Sequence, residues 1–309
     1  MTTADDFKSL TGIQHVRHRP DMYIGSISCT KENRWVINDN NEAVQEVIET
    51  NPGLEQCVLE LIVNAADHVE RCKVSNETKV SKIEIVQTDD FISVFNNGKG
   101  IPIEINKETN LYIPEMIFGN LMTSSNYDDS KKKTWGGKNG IGAKAANIFS
   151  TKFIIEVQSN NTNYYQEFTN GMNNKTEPII KKNKHSDYTK ITYYPDFAAF
   201  NMSSFTSNDT WKLLKKRAYD LSAATGKEVS VMLNETKIPV KDFSDYMSLY
   251  IGNAKKVVYS TNRWEVGFAL CPYTEPVQIS FVNAICTDDG GNHVKHVLEP
   301  VLDKITEEL

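Results

Sequence analysis

The sequence predicts a mixed α/β protein of two domains, the first of them built on antiparallel hairpins. Three observations carry this. Residues 54–71, LEQCVLELIVNAADHVER, set Leu54, Cys57, Val58, Leu61, Ile62, Ala65, Ala66 and Val69 at the i, i+3, i+4, i+7 spacing of an amphipathic helix. Beyond it, KIEIV (82–86) and FISVF (91–95) alternate apolar and polar side chains on either side of QTDD, the pattern of a β-hairpin. The chain has 309 residues, more than one core of about 100 to 150 residues needs.

The remaining elements follow in order. The second strand of the hairpin ends in the turn Asn96-Asn97-Gly98-Lys99-Gly100, and a helical stretch spans Pro114 to Met122. Residues 124–142, SSNYDDSKKKTWGGKNGIG, have no apolar periodicity and read as a long glycine-rich loop, a class that serves as functional lids or is disordered. Helical residues Ala143 to Phe149 come next, then strands near 152–157, 164–168 and 189–194, with the Asn-rich 159–163 and 170–175 as turns. A helix near 207–224 leads to a strand at Val229 to Leu233, further strands at 263–270 and 277–285, and a final helix near 293–308. The domain boundary is expected near residue 240, giving domains 1–240 and 241–309.

Composition narrows the function classes. Hydrophobic residues make up 39% and charged residues 24% of the chain, enough for a folded core. No run reaches the 18 or so apolar residues of a membrane helix, and MTTADDFKSL has no basic or apolar leader region, so secretion is not expected. Five cysteines, Cys29, Cys57, Cys72, Cys271 and Cys286, lie far apart with no CxxC spacing, and read as packing residues of a reducing compartment. Net charge is −6, so bulk charge does not draw nucleic acid, and any DNA contact needs a local patch. The short basic runs Lys131 to Lys133, Lys181 to Lys184, and Lys215, Lys216 and Arg217 are read as solvated faces.

The chemistry gathers on the 54–71 helix and the glycine-rich loop. Glu60, Asn64 and Asp67 are spaced i, i+4, i+7 and fall within a stripe roughly 60° wide. A lone stripe of this kind is more often a solvated polar face; the two glycine turns and glycine-rich loop that follow weigh for chemistry. Glu60 suits a general base and the amide oxygen of Asn64 suits a hard cation, as a Mg-nucleotide hydrolase requires. In GGKNGIGAK (136–144), Gly142 is followed by Ala143-Lys144 rather than Lys-Ser/Thr, which excludes a P-loop, and the glycines do not fit G-x-G-x-x-G. What remains is a glycine-rich loop entering a helix, whose free N–H groups suit phosphate oxygens, with Lys138 and Lys144 adding charge.

ELIVNAAD (60–67), NNGKGIP (96–102), IFGNLMTSSNYDD (117–129) and GGKNGIGAK (136–144), in this order, resemble the Bergerat ATP-binding fold of the GHKL group. With HRPDMYIGS (18–26), RWEVGFAL (263–270), QISFVNAICT (278–287) and GGNHV (290–294), the chain resembles the N-terminal ATPase region of the eukaryotic-type (type IIA) DNA topoisomerase II family. The resemblance implies a two-layer α/β sandwich with a mixed, largely antiparallel sheet over 1–240, including an N-terminal arm over about 1–28. Part of a ribosomal-protein-like α/β transducer domain would follow over 241–309.

By matching position, the resemblance implies ATP and Mg²⁺ as ligands, with Glu60 as catalytic base and Asn64 as magnesium ligand that also touches the phosphates. Asp67, of the same stripe, would also belong to the nucleotide-binding set. Asn96 would stand at the adenine-reading position, where the wider group uses Asp, with Gly98 and Gly100 letting the turn approach the base. Ser124, Ser125 and Asn126 would contact ribose and phosphate. Gly137, Lys138, Asn139, Gly140, Ile141, Gly142, Ala143 and Lys144 would form the lid around the triphosphate.

Phe7 takes the position from which a family Tyr reaches the partner's nucleotide in trans. The family lysine that reaches the γ-phosphate from a transducer loop falls beyond Leu309, as do the DNA-cleavage domains. The chain alone is therefore not expected to cut DNA. The resemblance further implies a nucleotide-dependent homodimer acting on double-stranded DNA. Its compartment would be the nucleus for a cellular eukaryotic protein, or the infected host cell for one from a large DNA virus. The rival reading is a nucleotide-gated dimerisation module that binds ATP without appreciable turnover.

Overall fold

A computed structural model of the chain describes residues 9–121, 141–261, 263–271, 273, 276–287 and 289–308. After a short helix α1 (Gly12–His18), an antiparallel hairpin of β1 (Thr30–Ile37) and β2 (Ala43–Thr50) leads into α2 (Pro52–Ser75). Helix α2 extends beyond the predicted span at both ends because its caps are local. Asn51 accepts from the Leu54 N–H at 3.0 Å, Pro52 starts the helix, and Asn76 in the left-handed region ends it. The predicted apolar face is buried throughout, from Leu54 to Cys72.

Strands β3 (Lys82–Gln87) and β4 (Ile92–Asn97) form the predicted hairpin. They are followed by α3 (Ile113–Gly119) and α4 (Gly142–Ile148), and then by β5 (Ser150–Ser159) and β6 (Thr162–Thr169). The short strands β7 (Asn174–Lys175) and β8 (Ile179–Lys182) and the longer β9 (Tyr188–Pro195) come next. The expected turn at 159–163 contracts to Asn160-Asn161, with φ of 49° and 60°, the two-residue turn that matches strand twist. That over 170–175 gives up its last two residues to β7. Helix α5 (Thr210–Thr225), β10 (Ser230–Leu233) and β11 (Thr236–Lys237) complete the unit.

Among the described residues these strands make one sheet in the order β11-β10-β3-β4-β9-β5-β6-β7, with β8 also on β6. Only β10 and β3 run parallel; the other pairs are antiparallel, as expected of a mixed, largely antiparallel sheet. One face is continuous apolar surface, with Ile83, Ile85, Ile92, Val94, Phe153, Ile155, Tyr164 and Phe168 packed under α2, α4 and α5. The other carries ion pairs, such as Lys190–Glu156 at 3.0 Å, and ring pairs such as Phe95–Tyr188. Two layers result, one helical and one sheet.

The C-terminal part holds α6 (Phe243–Ile251), the hairpin β12 (Lys256–Ser260) and β13 (Glu265–Ala269), the short pair β14 (Phe281–Val282) and β15 (Ile285–Cys286), and α7 (Asn292–Glu308). The continuous strand expected over 277–285 is instead this tight hairpin, because Asn283 and Ala284 adopt φ of 50° and 65° and reverse the chain.

The basic run on α5 also departs from expectation. Lys215 is half-buried, but Lys216 is 4% exposed and Arg217 is buried beside it. Lys216 pairs with Asp220 at 3.0 Å, and Arg217 spans Asp220 (3.0 Å) and Glu55 in the first turn of α2 (2.8 Å). Burial works against the Lys216 ammonium most strongly, but the Asp220 carboxylate together with Tyr250 and Cys286 more than offsets it, leaving the lysine above its ordinary value. The run is an internal ion network, not a solvated face. Cys57 and Cys72 are packing residues as expected, whereas Cys271 is exposed.

Candidate functional site

The site forms where α2 meets the start of α4. Glu60 lies mid-helix, half-buried, with its Oε1 accepting from Gln56 Nε2 at 2.8 Å one turn earlier. Burial raises its carboxyl above the ordinary glutamate value, the Gln56 hydrogen bond opposes this, and the neighbouring Asp67 charge adds to it. A carboxylate of raised basicity that remains accessible suits proton abstraction. The other Glu60 oxygen faces Gly142: a Cβ built there would stand 1.7 Å from Oε2 and 2.3 Å from Cδ. The first residue of α4 is thus set directly against the carboxylate, an approach that only glycine permits.

Asn64 lies one turn beyond Glu60 and is exposed, whereas Asp67 is buried. The predicted stripe therefore divides by depth: one carboxylate at the boundary, an amide in solvent and a second carboxylate beneath it. Asn64 offers a hard oxygen to a cation. Among the described residues no group of three His, Cys, Asp or Glu side chains could hold a metal on its own. Magnesium, which favours one or two protein oxygens plus phosphates and water, fits this sparse donor set as an ion carried in with a nucleotide.

Asn96 ends the core face of β4, in line with Ile92 and Val94, and is 6% exposed. Its Nδ2 donates to the Asn97 carbonyl at 3.0 Å. Asn97, on the opposite face, is a latch: its Oδ1 accepts from the N–H groups of Ser81 and Lys82, both at 2.9 Å. The two adjacent asparagines thus have separate work, one facing the helix layer and one holding the start of β3. Gly98 has φ +102°, and Val80 Cγ2 would lie 2.7 Å from a Cβ there. Gly100 is crowded by the Gln158 carbonyl, 2.0 Å from a built Cβ, and its N–H donates to Asp187 at 3.4 Å. What presses on the turn in this structure is the protein itself.

Ile141 precedes α4, Ala143 is buried, and Lys144 is only 1% exposed. Desolvation lowers the Lys144 ammonium to about 8. The proposed contacts Phe7, Ser124, Ser125, Asn126, Gly137, Lys138, Asn139 and Gly140 lie outside the described residues. Gln56 and Asp187 are the residues that sequence reasoning passed over. Gln56 had a readable signal, since i and i+4 side chains meet on a helix; Asp187 reaches Gly100 only through the sheet and had none.

The sequence model of the histidine kinase-, DNA gyrase B- and HSP90-like ATPases matches residues 49–173, which span α2, the Asn96 turn and α4. The chain is 41% identical to DNA topoisomerase 2 of Arabidopsis thaliana over 98% of its own length and 21% of that protein. It superposes on the ATPase region of Saccharomyces cerevisiae topoisomerase II with a TM-score of 0.91 at 37% identity, covering 98% of this chain and 81% of that one. The chain belongs to the DNA topoisomerase II ATPase-region family. The ATPase and transducer domains of DNA topoisomerase II from Balamuthia mandrillaris match equally well, with a TM-score of 0.93, 36% identity, all of this chain and 79% of that one. The mixed sheet is that of the topoisomerase II ATPase-region structures and of the GHKL fold. The chain spans about a fifth of the length of the curated relatives it matches. No helix among the described residues is long and apolar enough to cross a membrane.

Proposed function

We propose that this chain binds and hydrolyses ATP to drive closure of the N-terminal clamp of a type II DNA topoisomerase, which passes one duplex through a transient break in another. The observation that carries the proposal is the setting of Gly142 against the Glu60 carboxylate, which joins a general base to the entry of a glycine-rich loop. Residues 1–240 would be the ATP-binding domain and 241–309 the beginning of the transducer. Two copies would associate when nucleotide binds, with Phe7 reaching the partner, and double-stranded DNA would be the substrate of the whole enzyme. The nucleus, or a virus-infected cell, would be its place of action.

Glu60 takes a proton from the attacking water at its free oxygen as that water bonds to the terminal phosphorus and the bond from that phosphorus to the bridging oxygen breaks, releasing ADP and inorganic phosphate. Gln56 holds the other carboxylate oxygen, so the basic lone pair keeps its direction. Asn64 would hold magnesium together with the phosphates, the ion supplying Lewis-acid neutralisation of their charge. Asn96 reads the adenine edge, its amide able both to accept and to donate. Gly142, Ala143 and Lys144 bring backbone N–H groups and one buried cation to the phosphates. Ser124, Ser125 and Asn126 would contact the ribose and phosphates, and Gly137 to Ile141 would close over them.

Single-turnover hydrolysis tests the proposal. Glu60→Gln keeps the side-chain shape and loses the base, so ATP binding should persist while the rate falls by about 10² to 10⁴. Undiminished turnover in that variant overturns it. Binding without any turnover in the wild type would favour the rival reading of a nucleotide-gated dimerisation module.

A further inference from the structure

Helix α4 is held at its far end by a side chain from α1. The Arg17 guanidinium donates from Nε (3.1 Å) and Nη2 (2.9 Å) to the Ile148 carbonyl, and from Nη2 to Asp196 Oδ2 (3.0 Å). The Phe149 ring lies 5.9 Å from its central carbon. Gly171 closes the slot: it has φ +60°, and a Cβ there would fall 2.5 Å from Arg17 Nη2 and 2.7 Å from the Ile148 oxygen. A carbonyl, a carboxylate, an aromatic face and a missing side chain together shape a cavity for one planar, forked donor. A lysine offers neither the fork nor the plane.

The carbonyl that Arg17 occupies is among those that the end of a helix leaves without an intrahelical partner. Its neighbours are provided for locally: Phe149 N–H donates to the Ala145 carbonyl at 3.0 Å and Ser150 Oγ to the Asn147 carbonyl at 2.7 Å. Ile148 instead depends on a group 131 residues away in sequence. Seven residues of helix span only about 10 Å, so fixing the last turn of α4 also fixes Gly142, which stands against Glu60.

We infer that Arg17 is a positioning residue for ATP hydrolysis: from the C-terminal end of α4 it holds Gly142 to Lys144 in register with the base Glu60. The inference rests on the nucleotide site proposed above. It makes α1 part of the active-site frame, because the segment that would reach towards a second copy is tied through Arg17 to the helix that receives the phosphates. Movement of either end is then felt at the other.

The test compares wild type with Arg17→Met, Arg17→Lys and Gly171→Ala, the last of which obstructs the slot with Arg17 intact. In Arg17→Met, amide exchange over residues 145–150 without nucleotide should rise at least tenfold while the middle of α2 stays protected, which shows that the fold is kept. ADP affinity should remain within about threefold, single-turnover hydrolysis should fall at least tenfold, and Arg17→Lys should recover only part of it. Gly171→Ala should reproduce the pattern. Unchanged exchange at 145–150, or raised exchange with wild-type hydrolysis, overturns the inference. If the wild type itself shows no turnover, the proposed function falls instead. The inference is then decided by exchange together with the affinity of a non-hydrolysable ATP analogue, which Arg17→Met must weaken at least tenfold relative to ADP.

Discussion

Replacing Gly142 with alanine should separate catalysis from stability. The added methyl would stand 1.7 Å from Glu60 Oε2, whereas non-bonded carbon contacts settle near 3.5 Å, so about 1.8 Å must be found. Backbone at the start of α4 is held by packing on α2, but the carboxylate is the free end of a side chain, so it is Glu60 that turns away. In turning it leaves Gln56, a net loss of about 0.5 to 1.5 kcal/mol. Gly→Ala in a helix returns up to about 1 kcal/mol. The two nearly cancel, and urea unfolding should place the variant within about 1 kcal/mol of wild type. Catalysis has no such compensation, since a displacement of about 1 Å can cost 10²-fold. Single-turnover hydrolysis should therefore fall at least a hundredfold, with ADP affinity little changed. Wild-type hydrolysis in a folded Gly142→Ala protein would refute the reasoning, because Glu60 would then not need the orientation seen here.

Asn64→Ala should weaken Mg-ATP binding itself through the loss of a cation ligand, and calorimetry showing wild-type affinity would reject that role. If Asn96 reads the exocyclic amine, ATP should bind more tightly than GTP, and Asn96→Leu should narrow the gap by about 1 to 3 kcal/mol; equal affinities in the wild type would contradict it. Hydrolysis should decline as pH falls through the raised pKa of Glu60, above the ordinary 4.5, and Asp67→Asn should move that decline to lower pH by removing a raising charge. The same shift makes the folded protein hold the Glu60 proton more firmly than the unfolded chain. Its stabilising effect is thus present below 4.5 and fades as pH rises through the folded value, a dependence that Glu60→Gln should abolish in pH-resolved unfolding. Glu55→Ala removes one of the two carboxylates that hold the buried Arg217 and should cost about 1.5 to 3 kcal/mol in urea unfolding; a loss below about 1 kcal/mol would show that the network is not stabilising.

The parts of the fold legible in sequence were those where one periodicity and one burial pattern coincide. Helix α2 buries a regular stripe, and β3, β4, β5 and β9 bury alternate residues on one open-faced sheet, so apolar spacing alone indicated them. The β1–β2 hairpin is not legible in the sequence because TKENRWVI mixes exposed charge with two consecutive buried residues, Val36 and Ile37, and presents no clean alternation. Helix α6 is short and places Tyr246 and Tyr250 inside among serines and an aspartate. The strand expected over 277–285 failed at Asn283-Ala284, where positive φ at a non-glycine residue, alanine above all, is a conformation that local sequence does not announce.

The site divides along the same line. Residue types could be chosen from chemistry: a carboxylate for the proton, an amide oxygen for the cation, glycines where backbone must approach. Which of them meet is a property of packing. Glu60 and Gly142 are 82 positions apart in sequence and are joined because α4 packs against α2, with Ala143, Ala145 and Ala146 buried in the same core as Leu61 and Ala65. The charge reading of α5 failed for the complementary reason. Lys216 and Arg217 look like solvent-seeking residues until Asp220, one turn on, and Glu55, from another helix, supply the countercharge that lets them be buried. A basic run is a solvated face only when its carboxylates are elsewhere. Here one of them is in the first turn of the helix that carries Glu60, so Arg217, which reads as surface in the sequence, is what ties α5 to the helix of the proposed base.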